Sequence, residues 1–436
     1  MNTLLWFNND LRLTDNEALQ QAASNTARLL CVFCIDLQWF KQGRYGVQAL
    51  GAARQQFLNE SLTALSSQLE QLGQVLHIAF GEPTSTLGAL IDKHHINRVV
   101  RSQHSGFNEN QQWQNLKQQY PESQFESYDT FTIFKHEQLI SLDAFPSSFS
   151  KFRKIVELMP IDAPLGRPEQ LPPPILTSIQ FDALKKLSPK SVKTPLFSGG
   201  ETRAITHCKN YFASAAASTY KETRNELAGW AHSSKFSPWL AAGCISPRFI
   251  IKQLREYEYE HGANDSTGWI FFELLWREYF QWLAKHYDER LFCFSGIHHK
   301  KPLSSFYPQR FKQWAAGNTQ WPLVNACMRE LNTTGFMSNR GRQIVASCLV
   351  NELGLDWRCG AAYFEQQLID YDVASNWGNW QYIAGVGADP RGGRHFNIEK
   401  QTRQYDPEQQ FIRRWDGDTA LQFPTDHVDA ADWPMA

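Results

Sequence analysis

The first stretch whose side chains could do chemistry is a serine cluster around one lysine. Ser233, Ser234 and Ser237 surround Lys235 directly before Pro238, and serine followed by proline is typical of a helix start. Hydroxyls and backbone N–H groups at a helix N-terminus can hold a phosphate. The same serines can instead only cap the helix, and the local residues taken alone favour capping.

A second candidate is a charged pair inside an otherwise apolar helix. Glu273 and Arg277 are four residues apart, so they share one helix face, and Trp276 lies beside them. A surface ion pair is one interpretation. The apolar surroundings equally favour a buried pair or a pair that lines a cavity.

Two arginines and two acids follow in later stretches. Arg340 and Arg342 precede an apolar helix, and the guanidinium fork suits planar recognition of a carboxylate or phosphate. Asp370 and Asp372 close a predicted helical run. No histidine stands at ligand spacing with these acids, so no metal site is predicted.

The residues after these acids, 373–391, predict an irregular backbone interleaved with Trp377, Trp380 and Tyr382. That prediction rests on five asparagines and glycines, namely Asn376, Gly378, Asn379, Gly385 and Gly387. Such a segment suits either a capped turn packed on a core or the wall of a site for a flat, hydrogen-bonding ligand.

These candidates need a scaffold, and the sequence predicts two domains. Apolar, β-branched runs at 3–11, 27–37, 75–81 and 96–104 alternate with helical patterns such as 51–73. This alternation predicts an α/β domain with a parallel, Rossmann-like sheet over residues 1–128. A proline-rich connector follows over 129–196, with a short helix near 147–158. Residues 197–420 predict a larger all-α domain, and 421–436 a short tail.

Composition limits the class of protein. The 436 residues carry a net charge of −1, which gives no global attraction to nucleic acid. No run of 18 apolar residues predicts a membrane span, and the N-terminus lacks the pattern of a secretory signal, so we expect a cytoplasmic protein. The cysteines are scattered, and Cys31 and Cys34 fall in a predicted buried strand, which favours a core role.

Seven motifs together carry a resemblance to a known family. They are WFNNDLRLTDNEAL, YKETRN, KFSPWLAAGCISPRFI, TTGFMSNRGRQIVAS, LGLDWR, DYDVASNWGNWQY and AGVGADPR, which span nearly the whole chain. In this order they resemble the photolyase/cryptochrome family, closest to its DASH branch. The resemblance implies that the larger all-α domain is an FAD-binding domain.

The resemblance also implies which residues hold a U-shaped FAD. Phosphates and ribitol would contact the segment at Tyr220 and the serine cluster, Arg342 and Asp370 would pair beside the isoalloxazine, and Asn376 would face flavin N5. The implied cofactor-binding residues are Tyr220, Ser233, Ser234, Lys235, Phe236, Ser237, Glu273, Arg277, Asn339, Arg342, Asp370, Asp372 and Asn376.

The activity implied by the resemblance is repair of DNA under blue light. Excited, reduced FAD donates an electron to a cyclobutane pyrimidine dimer, the ring opens, and the electron returns. The dimer must leave the base stack, and DASH members as a class favour single-stranded DNA. The implied contacts of the lesion and its phosphates are Arg224, Trp276, Arg340, Gln343 and Tyr382, with Glu273, Asn376, Trp380 and Trp357 as the catalytic set.

A tryptophan relay for photoreduction of the flavin is implied only in part. Trp380 matches the proximal member and Trp357 the middle member, whereas the third position falls on or near Ser304. Tyr307 and Trp314 are the candidate substitutes. Repair by flavin that is already reduced would survive this loss.

The family further implies an antenna chromophore between the domains, which in most DASH members is 5,10-methenyltetrahydrofolate. Asn108 and Glu109 lie where the pterin would bind, and Lys151, Phe152 and Arg153 fall near the same cleft. An ordinary polar loop is the alternative.

Three other classes of protein compete with a monomeric repair enzyme that acts on DNA with pyrimidine dimers. A blue-light photoreceptor without repair activity is the main alternative, which Glu273, Trp276 and Asn376 disfavour. An iron–sulfur relative would need four gathered C-terminal cysteines. A helical binding protein without flavin would leave the motifs unexplained.

Overall fold

The computed structural model describes residues 1–139, 145–177, 196–388 and 392–422. From residue 423 onward, the predicted tail lies outside the described residues. The same holds for Pro195 of the connector and for the last three residues of the AGVGADPR motif.

The N-terminal part is a five-stranded parallel sheet of order β3-β2-β1-β4-β5. The strands are β1 Asn2–Phe7, β2 Arg28–Asp36, β3 Leu76–Gly81, β4 Arg98–Ser102 and β5 Gln124–Tyr128. The helices between them are α1 Glu17–Ala23, α2 Ala52–Glu70, α3 Pro83–His94 and α4 Phe107–Gln119. The central strands β1 and β2 carry long buried apolar runs, as is usual where helices cover both faces of a parallel sheet, and this confirms the predicted α/β class.

The prediction of four strands was one strand short. β5 pairs only with β4 and is largely half-exposed or exposed, with Glu126 at its centre. An edge strand of this kind lacks the apolar signal of a central strand. Cys31 and Cys34 are buried in β2 as expected, and burial raises the pKa of both thiols.

The connector is anchored to both parts of the molecule. It contains α5 His136–Leu139 and the expected short helix, α6 Phe149–Val156. At the far end, Leu29 N–H donates to the Pro173 carbonyl and Ile175 N–H donates to the Leu29 carbonyl, at 2.9 and 3.0 Å. The described connector therefore runs along the sheet instead of standing free.

The remainder is helical, as predicted. Its helices are α7 Glu201–Phe212, α8 Tyr220–Thr223, α9 Ser237–Ala241, α10 Pro247–His261, α11 Asp265–Tyr287, α12 Pro308–Ala316, α13 Pro322–Thr334, α14 Asn339–Ser347, α15 Trp357–Gln367, α16 Val373–Ala384, α17 Ile398–Tyr405 and α18 Gln410–Arg414. None of the described helices is long and apolar enough to cross a membrane.

The backbone around the two acids differs from the prediction. α15 ends at Gln367, before Asp370, and Asp372 caps the start of α16 by accepting from Ser375 N–H at 2.7 Å. The segment expected to be irregular is thus a helix up to Ala384. Its glycine at 378 serves packing, because a Cβ there would collide with the Phe280 ring on α11.

Buried polar contacts tie the helices to the sheet. Arg248 on α10 pairs with Asp15 at 3.0 Å, and both side chains are almost fully buried. Glu278 on α11 accepts from Ile133 N–H at 2.8 Å and from Trp282 Nε1–H at 2.7 Å. These contacts fix α11, the longest described helix, against the connector.

Candidate functional site

A cavity of about 740 Å³ opens among α8, α9, α11, α14 and α16. It continues into a recess of about 230 Å³ that reaches Asn376 and Trp380 on α16. Arg342, Asp370 and Asp372 line both spaces. The combined volume is that of a site for a large organic ligand.

The core of the cavity wall is a forked ion pair. Arg342 Nη2 donates to both Asp370 oxygens, at 2.7 and 3.0 Å, and its Nε donates to the Met337 carbonyl at 2.9 Å. The Asp370 side chain is almost fully buried, whereas the guanidinium is partly exposed to the cavity. The pair therefore fixes a planar hydrogen-bonding group at the cavity surface.

Asp372 is held by a residue that sequence reasoning missed. Gln281 Nε2 donates to both Asp372 oxygens, at 2.7 and 2.9 Å, and its Oε1 accepts from Ser105 Oγ at 2.8 Å. Gln281 is eight residues after Glu273 in an apolar helix, so its polarity was the one available signal. The contact links the cavity to the loop after β4.

The serine cluster contributes only in part. Ser234, Phe236 and Ser237 line the cavity, whereas Ser233 and Lys235 are not among its lining residues. Lys235 has a φ of 55° and places its ammonium 5.2 Å from the Phe336 ring. Burial lowers the Lys235 pKa to about 8.

The floor of the cavity carries three charges. Arg224 donates to Glu273, whose pKa is raised by burial in spite of that contact. Arg277 Nη1 donates to the Phe131 carbonyl at 2.7 Å, while its buried Nη2 lies 3.9 Å from Asp372 and has no hydrogen-bond partner among the described residues. Tyr220 also lines the cavity, and burial raises the pKa of its phenol.

The mouth of the cavity is formed by aromatic rings and arginines. Trp276 and Tyr382 meet edge to face, with ring centroids 6.1 Å apart. Arg340 donates to Asn225 at 2.9 Å and stacks on Tyr405, while its Nε has no hydrogen-bond partner in the part of the chain that the structure describes. Gln343 Oε1 is likewise buried without a partner. Unpartnered polar atoms at a cavity surface are typical of groups that await a ligand.

Two more residues of the expected set lie deeper. Asn339, at the start of α14, lines both the cavity and the recess. Asn376 is buried at the recess, where its Nδ2 donates to the Ala361 carbonyl at 3.0 Å. That bond fixes the orientation of the amide, so that its Oδ1 is left for another contact.

The two tryptophans of the expected relay, Trp380 and Trp357, contact different aromatic rings. Trp380 meets Trp314 at 6.2 Å and Phe364 at 5.1 Å, whereas Trp357 meets Trp377 at 5.8 Å. Trp357 and Trp314 are fully buried. Trp314 therefore touches the proximal tryptophan but cannot serve as a surface terminus, while Tyr307 is half-buried beneath Arg310.

Ser304 lies close to the start of α15. The next residue, Ser305, accepts at its carbonyl from Asp356 N–H at 2.7 Å, directly before Trp357. Ser304 itself is half-buried. Position 304 is thus within reach of Trp357, although a serine cannot relay an electron.

A smaller cavity of about 90 Å³ lies between the sheet and the helices, where Glu109 lines it together with Arg54, Glu365 and Tyr371. Asn108 is exposed and is not among the lining residues. Lys151, Phe152 and Arg153 do not line it either, and Phe152 is buried against Tyr279.

Known proteins resemble this chain over most of its length. Residues 3–172 match a family model described as DNA photolyase, and residues 269–430 match one described as FAD binding domain of DNA photolyase. A protein of Idiomarina loihiensis named Cryptochrome DASH is 50% identical over 438 residues, which cover 99% of this chain and 96% of that one.

Two solved structures have the same fold. A cryptochrome from Synechocystis sp. superposes with a TM-score of 0.89 at 39% identity, covering 95% of this chain and 88% of that one. A bacterial class III photolyase from Agrobacterium tumefaciens gives a TM-score of 0.80 at 29% identity, covering 95% and 86%.

Proposed function

The chain belongs to the photolyase/cryptochrome family, in its DASH branch, and from that premise we propose that it repairs cyclobutane pyrimidine dimers in DNA under blue light. Single-stranded DNA is the proposed substrate. The observation that carries the proposal is the lining of the large cavity, which brings Trp276 and Tyr382 together with Arg224 and Arg340.

The cavity fits FAD on the chemistry of its own residues. Arg277 supplies positive charge for a diphosphate, and Ser234 and Ser237 supply hydroxyls. Buried Arg277 Nη2 and Gln343 Oε1 are left for a ligand to satisfy. When bound and reduced, FAD supplies an electron on excitation by blue light.

The residues at the mouth have separate roles in this proposal. Trp276 and Tyr382 form an apolar corner that receives a flipped-out dimer in place of its stacked neighbours. Arg224 and Arg340 hold phosphates beside it. Glu273 lies at the cavity floor, where burial raises the pKa of its carboxyl group and Arg224 opposes that shift, and this group would lie close to the bases of the dimer.

The proposed preference for single strands is supported by the energetic cost of opening a duplex. Flipping a base out of a duplex costs a few kcal/mol of stacking and pairing. A chain with a net charge of −1 offers no general electrostatic gain in return. A single strand presents the dimer without that cost.

The deciding experiment measures repair of a thymine dimer with the flavin chemically reduced beforehand. Single-stranded and duplex oligonucleotides are compared under blue light and in the dark, with Trp276→Leu as the pocket variant and Trp230→Leu as an exposed control. We expect light-dependent repair of the single strand, reduced in Trp276→Leu alone. Absence of repair on both substrates, with FAD bound, would exclude the enzyme and favour a blue-light photoreceptor.

We also propose 5,10-methenyltetrahydrofolate as the antenna. Because a cavity of about 90 Å³ is too small to enclose a folate, the proposed contacts are with Glu109 in its lining and with the exposed Asn108. The antenna proposal predicts that the purified protein shows an absorption band in addition to those of FAD. Glu109→Gln should weaken that band. A spectrum of FAD alone, even after addition of the folate, would contradict it.

A monomer in the cytoplasm is the proposed form. One chain builds the whole cavity, and all eight cysteines are free, seven of them buried or nearly so. Light scattering during size-exclusion chromatography tests the oligomeric state, and fractionation of cells tests the compartment.

A further inference from the structure

A separate cavity of about 470 Å³ lies at the carboxyl ends of β4 and β5. α4, α5 and the last turns of α11 enclose it. Among the described residues it shares no lining residue with the large cavity, and it shares only His104 with the small cavity beside Glu109. The carboxyl edge of a parallel sheet is a common place for ligands, and the volume suits a small organic molecule.

The walls of this carboxyl-edge cavity are aromatic. Trp282 and His136 lie nearly parallel with centroids 6.0 Å apart, and Phe145 and His286 do the same at 5.3 Å. Trp113 lines the cavity from α4. Flat walls of this kind bind planar rings by stacking.

The lining of the carboxyl-edge cavity carries positive charge that carboxylates balance only in part. Lys285 pairs with Asp129 at 3.0 Å, which leaves that pair neutral. Arg101 is buried, with only 3% of its surface exposed. Arg101 donates to the Glu109 carbonyl at 2.9 Å and to Asn110 Oδ1 at 2.8 Å, but both acceptors are uncharged.

Arg101 forms no ion pair with any described carboxylate, and its Nε–H has no hydrogen-bond partner. Its guanidinium lies 4.5 Å from the Trp113 ring, which offsets only part of the cost of burial. Burial lowers the pKa of Arg101 to about 9, and the charge of Glu109, which forms no ion pair with Arg101, opposes that shift only in part. A buried cation that is not directly paired with a carboxylate is stabilised further by an anionic ligand.

We propose that the carboxyl-edge cavity binds a planar aromatic molecule with an anionic arm, of the size of a nucleoside monophosphate. The ring stacks on the aromatic walls formed by Trp282 with His136 and by Phe145 with His286. The anion lies toward Arg101. This inference is independent of the proposed repair activity, since the two cavities share no described lining residue.

The test is calorimetric titration of the FAD-loaded protein with adenosine 5′-monophosphate, with adenosine and inorganic phosphate as partial ligands. FAD in the large cavity prevents the probe from binding there. We expect the nucleotide to bind at least about tenfold more tightly than either part, because stacking and the charged contact each contribute.

Two variants locate the binding. Ser127→Phe fills the cavity from an exposed position on β5, and Arg101→Gln removes the cation. Arg98→Gln is the matched control, because Arg98 is also a buried arginine of β4 but pairs with Glu126 at 2.5 Å. FAD content and thermal unfolding report whether each variant is folded.

The expected result is loss of nucleotide binding in Ser127→Phe and a drop of about tenfold or more in Arg101→Gln, with little change in Arg98→Gln. Absence of binding at nucleotide concentrations up to about 5 mM would overturn the proposal. A dissociation constant of that size corresponds to a binding free energy of about −3 kcal/mol. Binding that survives Ser127→Phe, or that is lost only in Arg54→Gln at the small cavity beside Glu109, would overturn it as well.

Discussion

Phe149 stacks on Trp276, with ring centroids 3.8 Å apart and ring planes 11° from parallel. Phe149 belongs to α6 in the connector, and Trp276 to α11 at the mouth of the large cavity. One face of the tryptophan is thus covered by the connector, so the ring is held at a fixed angle to Tyr382. The connector thereby shapes the pocket proposed for the dimer.

Replacement of Phe149 by leucine is expected to weaken binding of a dimer-containing oligonucleotide. Leucine retains much of the buried volume but loses the ring contact, so Trp276 gains freedom and affinity falls about two- to tenfold. Fluorescence anisotropy with labelled single-stranded DNA measures the change. Phe152→Leu is the control, because Phe152 is fully buried and meets Tyr279 instead. Equal losses in both variants would show a general effect of destabilising α6.

The Arg342–Asp370 pair is expected to control retention of FAD. Asp370→Asn leaves the guanidinium without a counterion at the cavity surface, and loss of a charged hydrogen bond of about 1.5–3 kcal/mol corresponds to at least about tenfold weaker binding. FAD released on dilution or dialysis is the measurement.

Asp356→Asn supplies the matched control for that experiment. Asp356 forms a similar forked pair with Arg358, at 2.8 Å, and does not line the large cavity. FAD retention that falls equally in the two variants would contradict a local role for Asp370.

Restoring a tryptophan at position 304 is expected to accelerate photoreduction of the flavin. Ser304 lies beside the segment that precedes Trp357, and an oxidisable ring there extends the relay toward the surface. Ser304→Trp should raise the rate of flavin bleaching under blue light with an external reductant, whereas Ser304→Phe, of similar bulk but hard to oxidise, should not. Repair by pre-reduced enzyme should be unchanged in both.

Glu330 is expected to make stability depend on pH. Burial raises its pKa from 4.5 to about 8, although Lys235 and Arg414 oppose the shift. Between those values the folded state holds a proton that the unfolded state releases, so stability falls as pH rises. Thermal unfolding of Glu330→Gln should therefore show a shallower decline in Tm between about pH 5 and about pH 8. Glu399→Gln, at an exposed site on α17, should keep the slope of the parent protein.

The sequence by itself determined the class of fold and most of the cavity. Strands 1–4 and the long helices were predictable because their apolar spacing reflects burial over many residues. The ion pair of Arg342 with Asp370 was expected from the resemblance, whereas the serine segment lines the cavity only in part, through Ser234, Phe236 and Ser237. β5 escaped prediction because a half-exposed edge strand carries little apolar signal.

Only the tertiary structure decided which distant residues meet. Gln281 reaches Asp372 across 91 positions, and Phe149 reaches Trp276 from a different segment of the chain. α16 was expected to be irregular because asparagine and glycine disfavour helices locally, yet the Asp372 cap and packing of Gly378 on Phe280 override that preference. The unpaired charge of Arg101 is likewise invisible in sequence, since only the folded chain shows which carboxylates come near it and which do not.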